Sequence, residues 1–361
     1  MTQHRPGPAT IYSVAESAGV SIATVSRVLQ GAGRVADATR EKVLAAALSL
    51  DYLPRDSARA LAAKTHEAVG LMLPELTGPY FAELLVGFES AAADFGLSVA
   101  LLMTDEPGLS RPLRQLAARV DGLAVMARPG QLAGEELDTL ARRLPLVRLA
   151  AGERDGAINT ENTGSARELT EHLFGHGRRR LVFVGDPDLA PDGVERFAGF
   201  AAAHSAAGLP VAEPVRIGYS EHEGRRYARE LLTRGGPWPD ALMCVNDEVA
   251  VAALDELQRG GVSIPDTLAI TGWDDVMTAR YTRPRLTSVA QPVRELGRQA
   301  ATTLAQLMAG GSPAAGPSIL PTRIVVRGSC GCREADQPVP AEAAGTVQRS
   351  PGQDSMKEEL Q

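Results

Sequence analysis

Three polar residues of the sequence each come after a short apolar run, where a strand is expected to end. They are Arg196, Asn246 and Asp274. An arginine fork, an amide and a carboxylate that converge can bind vicinal hydroxyls or a heterocycle through several hydrogen bonds. The segment Pro-Tyr-Phe at 79–81, after an earlier apolar run, offers an aromatic wall. Together these residue types predict a pocket for a small polar ligand.

A second group, over residues 22–29, has the residue types that read nucleic acid. Arg27 carries a guanidinium fork that fits the two acceptors of a guanine edge, and Ile22 can contact a thymine methyl group. The alternative is that Arg27 is a solvated helix charge and Ile22 a core residue. Residues 1–64 hold eight Lys and Arg against five Asp and Glu, a formal charge of +3, although the whole chain carries −7. A basic head on an acidic body indicates two separate roles.

Helices must position this second group. The apolar spacing predicts helices over 11–18, 22–29 and 37–50. Thr10 can cap the first helix, Gly19 can end it, and Ser21 can cap the second. Ala36 cannot cap the third helix, which leaves Asp37 as its expected cap. Two helices joined by a short glycine-containing turn are typical of a helix-turn-helix, whose second helix enters the major groove.

Alternating strands and helices must position the ligand site. Apolar runs predict strands at 69–73, 98–103, 122–127, 146–150, 181–185, 241–246 and 268–272, and helices at 82–95, 164–175, 196–207, 224–233 and 248–260. This alternation predicts parallel sheets covered by helices on both faces, with ligands beyond the carboxyl ends of the strands. Asp247 and Asp275, at two of these strand ends, are better explained as helix caps.

The sequence contains few signs of a catalytic site. It contains no phosphate-binding glycine loop, no nucleophile elbow and no metal-ligand cluster. The six histidines follow no catalytic spacing: His4, His66, His172, His176, His204 and His222. Cys330 and Cys332 offer two metal ligands, but without nearby partners they are too few to predict a metal site. We therefore expect no enzyme activity, no cofactor and no bound metal.

The length of 361 residues and the 44% hydrophobic content predict a globular protein of two or three domains. No apolar run reaches the roughly 18 residues that cross a bilayer, and the first thirty residues lack a signal-peptide core. Three cysteines cannot form a disulfide framework, which fits a reducing compartment. We expect a cytoplasmic protein without a membrane partner.

The head resembles a known family. Thr-Ile-Tyr-Ser-Val-Ala at 10–15, followed by Ala-Gly-Val-Ser-Ile-Ala-Thr-Val-Ser-Arg-Val-Leu at 18–29, is similar to the signature of the lactose-repressor/galactose-repressor family of bacterial transcription regulators. The resemblance implies a DNA-binding domain over 9–55, with Ile22, Ala23 and Arg27 facing bases. The full set of implied DNA contacts in this domain is Thr10, Tyr12, Ser21, Ile22, Ala23, Thr24, Ser26 and Arg27. Those that do not face bases are implied to contact mostly phosphates. The sequence departs from the family at Gln30, where Asn is usual, and at Ala36, where Ser is usual.

Residues 56–65 resemble the hinge helix of the same family. A helix of about eight residues is marginal alone in water, so DNA can order it. The resemblance implies that Leu61 wedges between base pairs in the minor groove and that Ala58 makes a close contact. Arg55 stands where the family usually has Asn, and a plain interdomain linker is the alternative.

The resemblance extends over the body, through Arg-Phe-Ala-Gly-Phe at 196–200, Asn-Asp at 246–247, Gly-Trp-Asp-Asp at 272–275 and Pro-Arg-Leu-Thr-Ser-Val at 284–289. It implies an all-α helix-turn-helix headpiece followed by an α/β two-lobe domain like the periplasmic binding proteins, with doubly wound parallel sheets. The effector domain is 66–329, with lobe one at 66–161 and 291–320 and lobe two at 162–290 and 321–329. The implied effector ligands are Phe81, Arg196, Tyr219, Asn246, Asp274 and Gln291, with Phe81 and Tyr219 stacking and Gln291 near the lobe crossover.

The resemblance implies a repressor of carbohydrate-utilisation genes, a homodimer on a palindromic double-stranded operator, with a small sugar-like effector that sets its affinity. Thr-Glu-Asn at 160–162 departs from the family's usual Asp-Asn, so the effector identity stays open. A transport-type sugar-binding protein or a sugar-converting enzyme on the same fold is the alternative. Residues 333–361, rich in Pro, Ala, Glu and Gln, predict a disordered tail without a tetramerising coiled coil.

Overall fold

The computed structural model describes residues 9–29, 34–52, 65–103, 110–128 and 134–333. These residues fall into two compact units, the first ending at Glu67 and the second beginning at Ala68. Within the described part of the chain, no helix is both long and apolar enough to cross a membrane.

The first unit contains three described helices, α1 (Ile11–Ala18), α2 (Ile22–Leu29) and α3 (Asp37–Ser49). Their apolar faces meet in one small core built on Val14, Val25, Val28, Val43 and Ala47. Each helix contributes valine or alanine at helical spacing, so the short helices stabilise one another through burial rather than through length. The three predicted helices are confirmed to within one residue at each end.

Local hydrogen bonds and one glycine set the ends of these helices. The Thr10 hydroxyl accepts a bond from the Ser13 backbone N–H at 3.3 Å, and Gly19 ends α1 in the left-handed region with φ at 65°. The Ser21 hydroxyl accepts from the Thr24 N–H at 3.2 Å, which caps α2. The predicted cap at Asp37 is wrong, because Asp37 is already helical and the N-cap is Ala36, which has no side-chain acceptor.

The second unit contains two sheets. The first has the strand order β10-β5-β4-β3-β1-β2, and all its neighbours are parallel. Its strands are β1 (Ala68–Leu73), β2 (Ser98–Met103), β3 (Gly122–Val125), β4 (Leu146–Leu149), β5 (Ala157–Thr160) and β10 (Ser318–Leu320). The helices on this side are α4 (Gly78–Asp94), α5 (Ser110–Ala117), α6 (Gly134–Ala141) and α11 (Val293–Met308). The buried strand residues and the apolar faces of α4 and α11 form a common core.

The second sheet has the order β11-β9-β8-β7-β6. Its strands are β6 (Leu181–Val184), β7 (Ala241–Cys244), β8 (Ala269–Asp274), β9 (Thr287–Ala290) and β11 (Arg323–Val325). The helices around it are α7 (Thr163–Gly175), α8 (Pro191–Ala206), α9 (Glu221–Arg234) and α10 (Asp247–Arg259). Only the last strand departs from the predicted parallel pattern, since β11 runs antiparallel to β9. Helices on both faces bury the sheet, as parallel strands require.

The chain passes between the two sheets three times: after β5, after β9 and after β10. Each sheet is therefore completed by a short strand from far along the chain, which pairs Ser318 with Ile158 in one case and Arg323 with Ala290 in the other. The carboxyl ends of β1, β3, β6, β7 and β8 lead into the segments that line the cleft described below.

Candidate functional site

The exposed face of α2 is the first candidate site. Val25 and Val28 are buried in the three-helix core, while Ala23 and Arg27 are exposed and Ile22 keeps 41% of its surface accessible. The alternative that Ile22 is a core residue is therefore wrong. A helix that packs with one face and presents an arginine and an exposed isoleucine on the other has the shape needed to enter a groove.

The other predicted DNA contacts on α1 and α2 are exposed or half-buried. Tyr12 on α1 is 68% exposed, and Thr10 and Ser21 are exposed at the starts of α1 and α2. Thr24 and Ser26 are half-buried. Thr10 and Ser21 have a second role, because their hydroxyls cap the helices. The two predicted hinge contacts, Ala58 and Leu61, lie outside the described residues.

A cleft in the second unit is the second candidate site. Five of the six predicted effector ligands line it, namely Phe81, Arg196, Tyr219, Asn246 and Asp274. The lining comes from both sheets: residues after β1 and β3 on one side, and residues after β6, β7 and β8 on the other. Gln291 is not among the lining residues but contacts one of them.

Arg196 is the most strongly fixed of these side chains. It is only 5% exposed, its Nε donates to Asn162 Oδ1 at 2.9 Å, and its Nη1 donates to the Val245 carbonyl oxygen at 2.8 Å. Its guanidinium lies 4.6 Å from the ring centroid of Trp273, a cation–π contact. Arg196 Nη2 also contacts Asp192 Oδ2 at 3.4 Å. Three of its five N–H groups are taken, which leaves two for a ligand.

Asp192 is a cleft residue that the sequence argument missed. Helix α8 begins at Pro191 and not at the predicted residue 196, so Asp192 and Arg196 lie one turn apart on the same face. Burial raises the pKa of Asp192, and the nearby Arg196 opposes that shift. The available signal was Pro191, since proline is favoured in the first turn of a helix.

Asp274 sits at the end of β8, with its backbone φ at 109°. Burial raises the pKa of Asp274 to about 7, although the Arg196 guanidinium and a hydrogen bond from Gln291 favour its charged form. The Gln291 amide donates to Asp274 Oδ1 and its carbonyl accepts from the Thr160 hydroxyl, both at 2.5 Å. Since Thr160 ends β5 of the first sheet, Gln291 links the two lobes at a crossover.

Asn246 has a structural role beside the cleft. Its side-chain oxygen accepts from the Val249 N–H at 3.0 Å, which caps α10, and its amide donates to the Tyr219 carbonyl oxygen at 2.8 Å. The prediction that Asp247 caps a helix is therefore wrong. Asp247 is fully buried and accepts bonds from the Ser288 hydroxyl and the Val276 N–H. Asp275 is not a helix cap either, because the N-cap of the following 3-10 helix is Val276, and Asp275 instead pairs with Arg327 at 2.6 Å.

Tyr219 approaches α8 closely. Its hydroxyl donates to the Asp186 carbonyl oxygen at 2.9 Å, and a Cβ at Gly193 would stand 2.2 Å from that hydroxyl. Only glycine at 193 therefore admits the tyrosine. Burial raises the pKa of Tyr219 to about 12, so it stays a neutral hydrogen-bonding group.

The first lobe contributes an aromatic pair and a charged pair. Tyr80 and Phe81, at the start of α4, meet edge to face with ring centroids 5.2 Å apart. Arg128, which follows β3, forms an ion pair with Glu75. Neither Arg128 nor Glu248, another lining residue, was predicted, because neither lies in a motif. Burial, and then the proximity of Glu75, raise the pKa of Glu248.

The cleft thus combines neutral aromatic walls with carboxyl groups, an arginine with free N–H groups and an amide. Such a lining suits an uncharged ligand with several hydroxyl groups, which can donate to carboxylates and accept from the guanidinium. The head combines the exposed face of α2 with the exposed side chains of Thr10, Tyr12 and Ser21. Neither arrangement contains a nucleophile aligned with a base among the described residues.

Comparison with known proteins gives two family matches. Residues 10–55 match the model for bacterial regulatory proteins of the lacI family, and residues 170–330 match a periplasmic binding protein-like domain. The chain is 30% identical over 335 residues to the HTH-type transcriptional regulator DegA of Bacillus subtilis (strain 168), an alignment that covers 89% of this chain and 97% of DegA.

Solved structures agree with these matches. The crystal structure of the Lac repressor dimer bound to operator and the anti-inducer ONPF has a TM-score of 0.78 and 27% identity, covering 90% of this chain and 99% of that one. The transcriptional regulator CelR in complex with cellobiose has a TM-score of 0.67 and 29% identity, covering 89% of this chain and 99% of that one.

Proposed function

Because the chain belongs to the lacI family of bacterial regulatory proteins, we propose that it is a transcriptional repressor controlled by a small ligand. In this proposal it binds a palindromic operator as a homodimer in the cytoplasm. A sugar-like molecule in the cleft changes its operator affinity and so controls carbohydrate-utilisation genes. The headpiece is 9–55, the hinge 56–65 and the effector domain 66–329, followed by a tail from 333.

The observation that carries the DNA half is the division of α2 into two faces. Val25 and Val28 hold the helix in the core, while Ile22, Ala23 and Arg27 remain exposed. Arg27 then reads a guanine and Ile22 contacts a thymine methyl group. We assign Tyr12, Thr24, Ser26 and the two capping hydroxyls of Thr10 and Ser21 to phosphate contacts, which set register more than sequence preference.

The observation that supports the ligand half is the cleft between the two sheets. A ligand that contacts Arg196 and Asp274 from one lobe and Phe81 from the other favours one angle between the lobes. A ligand can shift the equilibrium between lobe angles only by its differential affinity for them. Gln291 hydrogen-bonds both Asp274 and Thr160 at a crossover between the lobes. A ligand that binds Asp274 is therefore connected to the first lobe through Gln291.

A sugar-converting enzyme and a transport-type binding protein are the two alternative functions. A sugar-converting enzyme is not favoured, since DegA and the solved relatives above are named as regulators. A transport-type binding protein shares the two-lobe architecture, but residues 10–55 match a DNA-binding family. Regulation of transcription is therefore the favoured function, with the domain of periplasmic-binding-protein fold as its sensor.

The test is a selection of genomic DNA fragments by the purified full chain, followed by affinity measurements on the enriched sites. We expect enrichment of inverted repeats, with scrambled sites bound at least about 1,000-fold more weakly at physiological salt. Mono- and disaccharides are then titrated against the bound complex, and at least one should change operator affinity. Equal affinity for selected and scrambled sites would overturn the regulator proposal, and a response to nucleosides alone would overturn the sugar assignment.

A further inference from the structure

Outside the cleft, four side chains with metal-binding atoms meet on the surface of the second lobe. His172 lies in the last turn of α7 and His176 is the C-cap of that helix, and Cys330 and Cys332 follow the last strand. One ligand atom from each of the four lies within 4.8 Å of every other. The histidines and cysteines are more than 150 residues apart in sequence, which is why neither pair alone predicted a site.

Each close contact within this cluster joins a histidine nitrogen to a cysteine sulfur. His172 Nε2 lies 3.3 Å from Cys330 Sγ and 3.6 Å from Cys332 Sγ, and His176 Nε2 lies 3.1 Å from Cys332 Sγ. Zinc–ligand distances of about 2.0–2.3 Å in a tetrahedral site place neighbouring ligand atoms about 3.3–3.8 Å apart. These three nitrogen–sulfur separations are therefore close to the edges of such a tetrahedron, and the other pairs of ligand atoms lie within 4.8 Å of each other.

The local structure explains how both pairs converge. His176, the C-cap of α7, follows His172 by four residues, so their rings share a face, with centroids 4.8 Å apart. Gly331 has φ at 110°, a left-handed conformation that lets the chain turn sharply between the two cysteines. A side chain at position 331 would be strained there.

We propose that His172, His176, Cys330 and Cys332 bind one Zn²⁺ ion in a closed tetrahedral site. Two thiolates and two neutral imidazoles are a usual ligand set for structural zinc, and soft sulfur ligands disfavour Mg²⁺ and Ca²⁺. Two thiolates also balance the charge of the ion, so the site is neutral. With four protein ligands no position remains for a substrate, which makes the role structural.

The ion would connect the segment that follows β11 to the C-terminal end of α7. Cys330 is fully buried beside the core of the second lobe, and Cys332 packs against the same core. The short 3-10 helix Gly328–Cys330 precedes the turn, and the hydroxyl of Ser329 donates to the Ile270 carbonyl oxygen of β8 at 2.6 Å. Zinc would therefore stabilise the packing of this segment against the second sheet, away from the cleft.

The test uses the full chain, purified without a histidine tag and kept reduced. We expect one zinc per chain by elemental analysis after desalting. Replacement by Co²⁺ should give the visible absorption of a tetrahedral ion and the near-ultraviolet band of a cobalt–thiolate bond. Cys332→Ser and His176→Ala should each weaken Co²⁺ binding more than about 100-fold, since even outer-shell partners contribute about 10–100-fold.

The matched controls are His222→Ala, an exposed histidine outside the cluster, and Cys244→Ala, a core cysteine. Both should bind Co²⁺ like the wild type. His176 is exposed, so its alanine variant should fold, which far-ultraviolet circular dichroism checks. Three results would overturn the proposal: wild-type chain without the thiolate band at excess Co²⁺, binding unchanged in both cluster variants, or a disulfide between Cys330 and Cys332 that forms equally well with Zn²⁺ present.

Discussion

At the residue scale, two side chains carry the proposed function, Arg27 on α2 and Asp274 in the cleft. Arg27 is exposed and free of the helical core, whereas Asp274 is held by Gln291 and lies in the same cleft as Arg196. In the proposed function the partner of Arg27 is a DNA base. A fixed carboxylate is preorganised for its ligand, which limits the entropy lost on binding.

Arg27→Ala should weaken operator binding by about 1–3 kcal/mol and relax the preference at one base pair of each half-site. The reason is that a guanidinium fork contacts two acceptors found together only on guanine. Affinities for the operator and for single-base variants of it provide the measurement. Lys42→Ala, an exposed charge on α3, serves as control and should leave the preference unchanged. An equal loss by Arg27→Ala on every sequence would contradict base reading.

Asp274 should make stability depend on pH. Its folded pKa is about 7 and its ordinary value is 3.8, so between these values the folded chain holds a proton that the unfolded chain releases. The stabilisation from this proton is full below about pH 4 and is lost as pH rises through 7. In urea denaturation, the wild type should lose about 1–3 kcal/mol more than Asp274→Asn between pH 5 and pH 8. Parallel profiles would refute this.

At the element scale, the long apolar runs made most strands and helices predictable. β2 was predicted with its observed bounds, and the helices of the head were predicted within one residue at each end. β5 was missed because its sequence, Ala-Ile-Asn-Thr, ends in two polar residues. Those residues are buried because each has a partner, Asn159 with the Ala151 N–H and Thr160 with Gln291. Such partners lie up to 131 residues away, beyond any local pattern.

Three-residue strands were unpredictable for a related reason. β10 and β11 contain too few residues to show an alternation of polar and apolar side chains. They form because their backbones pair with β5 and β9, respectively. α11 is different, since its buried Leu296, Ala300 and Leu304 are four apart and gave a helical signal that was available. The cleft residues that lie in motifs were predicted, but Asp192, Arg128 and Glu248 were not. These three are brought into the cleft by the order of the strands in the sheets, which the sequence does not show.

The missing cap of α3 leads to a prediction about this element. Ala36 is the N-cap, with φ −60° and ψ 138°, and offers no acceptor to the first turn. Ala36→Ser should therefore stabilise the three-helix unit by about 0.5–2 kcal/mol, by satisfying an N–H of the first turn. Thermal unfolding of the full chain, followed by helical circular dichroism, measures the gain. Ala45→Ser, in the exposed middle of α3, is the matched control and should destabilise the same unit slightly.

At the scale of the whole molecule, the proposed function requires that the cleft and the DNA-binding surface share one equilibrium. Thermodynamic linkage then makes the coupling reciprocal. If a sugar lowers operator affinity by some factor, operator DNA should lower sugar affinity by the same factor, within about 5–150-fold. Four dissociation constants, each ligand with and without the other, measure this. A factor of one, with operator affinity the same at zero and saturating sugar, would show that the cleft and the DNA-binding surface are not coupled.

The stacking of Arg196 on Trp273 has a practical consequence. The sequence contains two tryptophans, Trp238 and Trp273, and Trp273 is completely buried. Because its indole lies 4.6 Å from the guanidinium that lines the cleft, a molecule that draws Arg196 towards itself alters the electric field at the ring. In a Trp238→Phe chain, fluorescence emission would then come from Trp273 alone. We therefore expect the emission of Trp273 to report cleft occupancy, so that small-molecule collections can be screened without operator DNA.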